Sequence, residues 1–164
     1  MNEVQYINAG NHIYASEFMK NLPENALLNK VAVGAGITSV ALRSAEKMVV
    51  CVPFVSLIIN KLEWCRKEDI QAIGVYKNGA TEEEIRAFGG NIILVTWDSL
   101  PKVANIINPT EWRLTIDESH KLIDSAAFRT EAIMGVLDNF RKFKAFCFVT
   151  ATPVDDEFQL SELK

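Results

Sequence analysis

Leu114-Thr115-Ile116-Asp117-Glu118-Ser119-His120 is the stretch on which the reading of this chain turns. Its apolar and β-branched run predicts a buried strand, and two adjacent acids follow directly. In an open parallel sheet the carboxyl ends of the strands carry the ligand site. Acids placed there can anchor magnesium and orient an attacking water. An acidic helix N-terminus, favoured by the helix dipole, is the simpler account of Asp117 and Glu118 alone. It leaves His120 unexplained.

Upstream, Ala32-Val33-Gly34-Ala35-Gly36-Ile37-Thr38-Ser39 follows the apolar residues Leu27, Leu28 and Val31 and precedes Val40, Ala41 and Leu42. This is a strand, glycine turn and helix, a layout that exposes backbone N–H groups to a phosphate. Gly34 and Gly36 allow torsions and a close approach that side chains would obstruct. Downstream, Phe148-Val149-Thr150-Ala151-Thr152-Pro153 ends another strand in two hydroxyls and a proline. Threonine favours strands and proline stops them, so this stretch alone carries little.

In this order the three segments resemble motifs I, II and III of the RecA-like first domain of superfamily 2 helicases. Asp117-Glu118-Ser119-His120 reads as a DEAH-type box, and Thr150-Ala151-Thr152 as the Ser-Ala-Thr motif. The resemblance implies a three-layer α/β/α, RecA-like P-loop NTPase domain with a mostly parallel sheet. It would occupy residues 27–164 behind an N-terminal extension of residues 1–26 with a short helix, the second RecA-like domain being absent. ATP and Mg2+ are the implied ligands. Gly34, Ala35, Gly36, Ile37, Thr38 and Ser39 would cradle the nucleotide, and Thr38 and Asp117 would hold the metal. Asp117, Glu118 and His120 are the implied catalytic residues, with Glu118 activating water. Thr150 and Thr152 would couple the nucleotide to nucleic-acid grip. Val50–Leu57 resembles motif Ia, and Ile93–Leu100 resembles a Thr-aromatic-x-Ser-Leu run found before motif II. These place Pro53, Phe54, Thr96 and Trp97 on a nucleic-acid path, although a tryptophan packed at a strand end is the competing account of Trp97. The implied whole is the nucleotide-binding lobe of a DNA or RNA helicase or translocase, working with a second lobe or partner chain.

One departure matters. The family's motif I has lysine after the last glycine, and this chain has Ile37. That ammonium bridges the terminal phosphates as the bond to the leaving group breaks. Losing such a preorganised charge costs about 3–4 kcal/mol of transition-state stabilisation. Either another cation reaches the site, with Lys30, Arg43, Lys47 or a second lobe as candidates, or the site is degenerate and the chain is a non-catalytic interaction module. Helicase-like proteins of phages and mobile elements are similar in having lysine-poor motifs I. A nucleotide-fold enzyme of another kind, such as a kinase, leaves Thr150-Ala151-Thr152-Pro153 unexplained.

The chain of 164 residues matches one such lobe in size better than two, and its net charge of −4 gives no global footprint for nucleic acid. No apolar stretch reaches the ~18 residues of a membrane span. Cys51, Cys65 and Cys147 lack metal-ligand spacing, and Cys51 and Cys147 sit in apolar runs as expected core residues. An odd cysteine count without a secretory signal favours a reducing cytoplasm.

Strands are expected at Leu28–Val33, Met48–Val52, Ala72–Tyr76, Ile92–Thr96, Trp112–Ile116 and Ala145–Thr150. Helices are expected at Ser16–Asn21, Thr38–Ser44, Ser56–Trp64, Thr81–Phe88, Ser99–Ile107, Glu118–Phe128 and Thr130–Phe140. Several strands are continuous apolar runs, as strands covered on both faces should be. Thr81 and Glu84 have capping-box spacing. Lys61, Arg66 and Lys67 read as a solvated basic spot. Gln5, the only glutamine upstream of motif I, makes no convincing base-reading segment.

Overall fold

Six apolar runs become six strands: β1 (Ala26–Asn29), β2 (Met48–Val52), β3 (Ala72–Val75), β4 (Ile92–Thr96), β5 (Arg113–Ile116) and β6 (Ala145–Thr150). The computed structural model describes residues 5–8, 10, 14–30, 34–124 and 129–151, with the backbone alone at residues 123 and 124. Between the strands lie α1 (Ile37–Leu42), α2 (Val55–Lys67), α3 (Glu82–Ala87), α4 (Leu100–Ile106), α5 (Lys121–Asp124) and α6 (Thr130–Asn139).

The strands form one sheet in the order β1-β6-β5-β2-β4-β3, and every pairing is parallel. From β1 the chain leaps past β6 and β5 to β2, continues outward to β3, then returns through β4 and β5 to β6. Crossovers between parallel strands are right-handed, so reversing the direction of travel moves the helices to the other face. The two apolar layers agree. Ile37 and Val40 of α1 and Ile58 and Cys65 of α2 belong to one. Ile85, Leu100, Val103, Ile133 and Val136, from α3, α4 and α6, belong to the other.

Strand residues alternate between these layers. Val50 and Leu94 join the first, Val49 and Ile93 the second, and all four are fully buried. This is why β2 and β4 are unbroken apolar runs. Each such side chain contributes about 1.5–3 kcal/mol by leaving water.

Local chemistry sets the start of α3. Thr81 Oγ1 accepts the Glu84 N–H at 3.3 Å and Glu84 Oε2 accepts the Thr81 N–H at 2.7 Å, so the capping box starts α3. The N-terminal helix expected at Ser16–Asn21 is instead a single 3-10 turn, Ala15–Glu17. A segment that short makes too few hydrogen bonds to offset helix nucleation. β1 begins at Ala26, before the expected Leu28, and residues 31–33 lie outside the described residues. The helix expected from Glu118 begins only at Lys121, because Glu118 takes a left-handed backbone (φ 56°) that no right-handed helix contains. The remainder expected at residues 125–128 lies outside the described residues.

The three cysteines are free and buried. Burial pushes the Cys147 thiol up to about 12 and raises those of Cys51 and Cys65.

Candidate functional site

The carboxyl ends of β1, β6, β5 and β2 lie level in the sheet. Backbone bonds hold these ends in register: Lys30 N–H to Thr150 O at 2.8 Å, Ser119 N–H to Val149 O at 2.9 Å, and Asp117 N–H to Cys51 O at 2.9 Å. The glycine turn after β1 reaches across this edge, and Thr38 Oγ1 donates to Asp117 Oδ2 at 2.8 Å. Gly34 and Gly36 have φ of 84° and 71°, the left-handed region that excludes most side chains. Ser39 Oγ donates back to Gly36 O at 2.6 Å, and Ala35 O accepts the Ala15 N–H at 2.8 Å. The 3-10 turn of the N-terminal extension is thereby pinned to the glycine turn.

Among the described residues Glu118 is one of three non-glycine residues with positive φ, and it stands beside the buried Asp117. Asp117 Oδ1 accepts the Glu118 N–H at 3.0 Å, a local bond that helps hold the strained turn. Such a conformation costs about 1–3 kcal/mol, and residues of this kind cluster where function needs them. Glu118 Oε2 lies 3.5 Å from His120 Nε2, and His120 Nδ1 shares a 3.2 Å hydrogen bond with Thr150 Oγ1. A chain of polar contacts thus connects Thr150, His120, Glu118, Asp117 and Thr38. Thr152 lies outside the described residues.

Ile37 is not turned toward this chain. It is 6% exposed and packs in the apolar layer with Val40, so its place in the glycine turn is a core position. Positive charge comes from elsewhere. Lys30 Nζ lies 3.4 Å from Glu118 Oε1 and 3.9 Å from Asp117 Oδ1. Lys61 Nζ lies 3.5 Å from Asp117 Oδ2. Their side chains are 9% and 18% exposed. Of the other cations weighed from sequence, Arg43 pairs with Glu68 at 2.7 Å and covers the Trp64 ring, while Lys47 pairs with Glu111 and covers Trp112. Both are occupied elsewhere.

Lys61 is therefore not a solvated residue like its expected companions Arg66 and Lys67, which are exposed. The signal was present in the sequence. With Ile58, Leu62 and Cys65 it falls at helical spacing on the inward stripe of α2, where lysine is rare unless paired. Helical side chains lean toward the helix N-terminus, so its stem runs up to the carboxyl edge of the sheet.

The expected nucleic-acid residues divide. Pro53, Thr96 and Trp97 are buried, and Trp97 is 0% exposed, which removes its ring from base stacking. A tryptophan's area is worth more in this core than at the rim. Phe54 remains exposed at 47%, with Lys121 Nζ 6.0 Å and Arg129 5.6 Å from its ring centroid. Arg129 was not singled out in the sequence. It donates to Pro53 O at 2.8 Å and Asp98 Oδ2 at 2.6 Å and lies over Trp97, tying together the loops after β2 and β4. Nothing in its local pattern indicates this, because all of its partners are distant in the chain.

Among the described residues no cluster of three or more His, Cys, Asp and Glu could hold a metal ion, and no helix is long and apolar enough to cross a membrane. The first result does not disfavour magnesium, which commonly takes only one or two protein ligands with phosphates and water completing its shell.

No protein-family profile matches the chain, and no curated protein matches it. Solved structures do. The helicase domain of Hef from Pyrococcus furiosus superposes with a TM-score of 0.54 at 18% identity, over 80% of this chain and 30% of that one. The UvsW helicase from bacteriophage T4 aligns at 14% identity over 77% of this chain and 46% of that one, with a TM-score of 0.46, from which nothing further follows. The chain thus spans less than half of either structure. What the likeness to Hef establishes is a fold: a parallel six-stranded α/β domain resembling the RecA-like domains of helicases.

Proposed function

We propose that this chain binds magnesium ATP between Gly34–Ser39 and Asp117–Glu118, as the first lobe of a superfamily 2 type DNA or RNA helicase or translocase. The observation that carries this reading is the 2.8 Å bond from Thr38 Oγ1 to Asp117 Oδ2, which joins the glycine turn to the acid pair across β6. The residues fit the ligand. Two left-handed glycines open the backbone to a phosphate, and a hydroxyl and a carboxylate face one another as a hydrated magnesium requires. When bound, magnesium would neutralise charge on the terminal phosphates. Glu118 would orient and deprotonate the attacking water. His120, held by Thr150, would sense the state of Glu118 and pass it to the neighbouring strand.

Nucleic acid would pass the same edge at Phe54, with Lys121 and Arg129 beside it and the N-terminus of α2 offering backbone donors to phosphate. Directed movement needs a second RecA-like lobe, and without its arginine this lobe hydrolyses ATP slowly or not at all. Titration of ATP by calorimetry, with and without magnesium, tests the reading. Wild type should bind in a magnesium-dependent way, and Asp117→Ala should abolish that dependence. Absence of binding in the wild type removes the proposal.

The burial of Ile37 favours a second reading, a helicase-like module that serves only as an interaction surface. The same titration separates the two, since the module would bind no nucleotide.

A further inference from the structure

Two lysines, Lys30 and Lys61, lie against the site. We infer that Lys30 and Lys61 are the phosphate-binding cations of this domain, supplying from just beyond β1 and from α2 the charge that Ile37 cannot supply from the glycine turn. The inference rests on the nucleotide reading above and names residues within it.

Four observations converge. Both side chains are largely buried, yet lysine is costly to bury without a counter-charge. Both ammonium groups approach Asp117, Lys30 at Oδ1 (3.9 Å) and Lys61 at Oδ2 (3.5 Å), the oxygen that Thr38 also contacts. Their separations of 3.4–3.9 Å are longer than the 2.7–2.9 Å of a tight charge-assisted hydrogen bond, so neither lysine is locked. Finally, Ile37 is buried in the apolar layer, so nothing in the turn itself competes for the position.

The arrangement implies an exchange of partners. In the free protein Lys30 and Lys61 balance the charges of Asp117 and Glu118. A magnesium ion bound next to Asp117 would repel them, and the flexible lysine stems would carry both ammonium groups onto the phosphates. Magnesium and the lysines are then linked: the metal takes over the carboxylate while the lysines take the triphosphate. A lysine serving only as a structural partner of Asp117 would show no preference for one phosphate chain over another.

The test compares ATP and ADP binding by calorimetry in magnesium for wild type, Lys30→Gln and Lys61→Gln, with Lys30→Arg and Lys61→Arg as charge-preserving controls. Glutamine keeps a polar stem and avoids an apolar group facing two carboxylates. Thermal melts report the folding of each variant. If the inference holds, each Gln variant weakens ATP about tenfold, the worth of one hydrogen bond to a charged group. ADP weakens less, and Arg recovers part of the loss. If wild type binds ATP and both Gln variants match it, or lose ATP and ADP equally, the lysine assignment is overturned and the nucleotide site survives. If wild type binds neither nucleotide, the site reading fails and this inference with it. Should a Gln variant fail to fold, the wild type decides, since no preference for ATP over ADP there also overturns the assignment.

Discussion

The two edges of the sheet both carry buried charge and use it differently. At the amino edge Arg113, 6% exposed in its side chain, donates to Leu22 O at 2.8 Å and to Glu46 Oε2 at 3.0 Å, while Lys144 meets Glu46 Oε1 at 2.7 Å. Apart from a 3.4 Å approach of Glu24 Oε1 to Arg113, these contacts are short, and the acids are about half in water. At the carboxyl edge Lys30 and Lys61 stand 3.4–3.9 Å from buried Asp117 and its strained neighbour Glu118. One cluster is closed and ties the N-terminal extension to the sheet. The other is loosely paired, so its charges can change partners at modest cost.

Breaking the amino cluster should have the larger effect on stability. Arg113→Met leaves Leu22 O without its donor and frees the extension. It should cost about 2 kcal/mol, the middle of the range for an orphaned buried acceptor, as read by urea denaturation. Nucleotide affinity should hardly change, because among the described residues the extension meets the site at the glycine turn, through Ala15 and Ala35. A large loss of affinity would show that the two edges are coupled.

At the carboxyl edge one substitution should move stability the opposite way. Glu118→Gly relieves the left-handed backbone and should stabilise the fold by about 1 kcal/mol, while ending any hydrolysis. A destabilised variant would mean that the contacts of Glu118 to Lys30 and His120 outweigh the strain.

The smallest effect concerns pH. The hydrogen bonds of Glu46 to Lys144 and Arg113 hold its carboxyl below the ordinary glutamate value. A lowered folded-state value adds stability that is complete above the unfolded value, near 4.3, and is lost as pH falls through the folded one. Glu46 is 43% exposed, so the contribution is about 0.5 kcal/mol. Denaturation of Glu46→Gln should differ from wild type by that amount at pH 7 and converge with it once pH has fallen through the lowered folded-state value. A gap that does not narrow as pH falls would assign it to packing.

The layer order, the parallel sheet and the ends of most strands were legible because they follow from short-range rules. β2 and β4 match the expected Met48–Val52 and Ile92–Thr96, since a strand covered on both faces must be apolar throughout. Thr81 and Glu84 lie near enough in the chain to cap a helix without help from the rest of the protein. The adjacency of Thr38 to Asp117 was legible only through resemblance, since it depends on how β1, β6 and β5 are ordered.

The sequence by itself determined the alternation of strands and helices, the glycine turn, and the acids at a strand end, because each is written in neighbouring residues and their periods. Only the tertiary structure decided that Ile37 faces the core, that Trp97 is sealed beneath Arg129, and that Lys61 climbs from α2 to Asp117. Those outcomes depend on which elements become neighbours. A side chain that bridges distant segments answers to packing and desolvation at the meeting point, and the residues on either side of it in the chain carry no record of that partner.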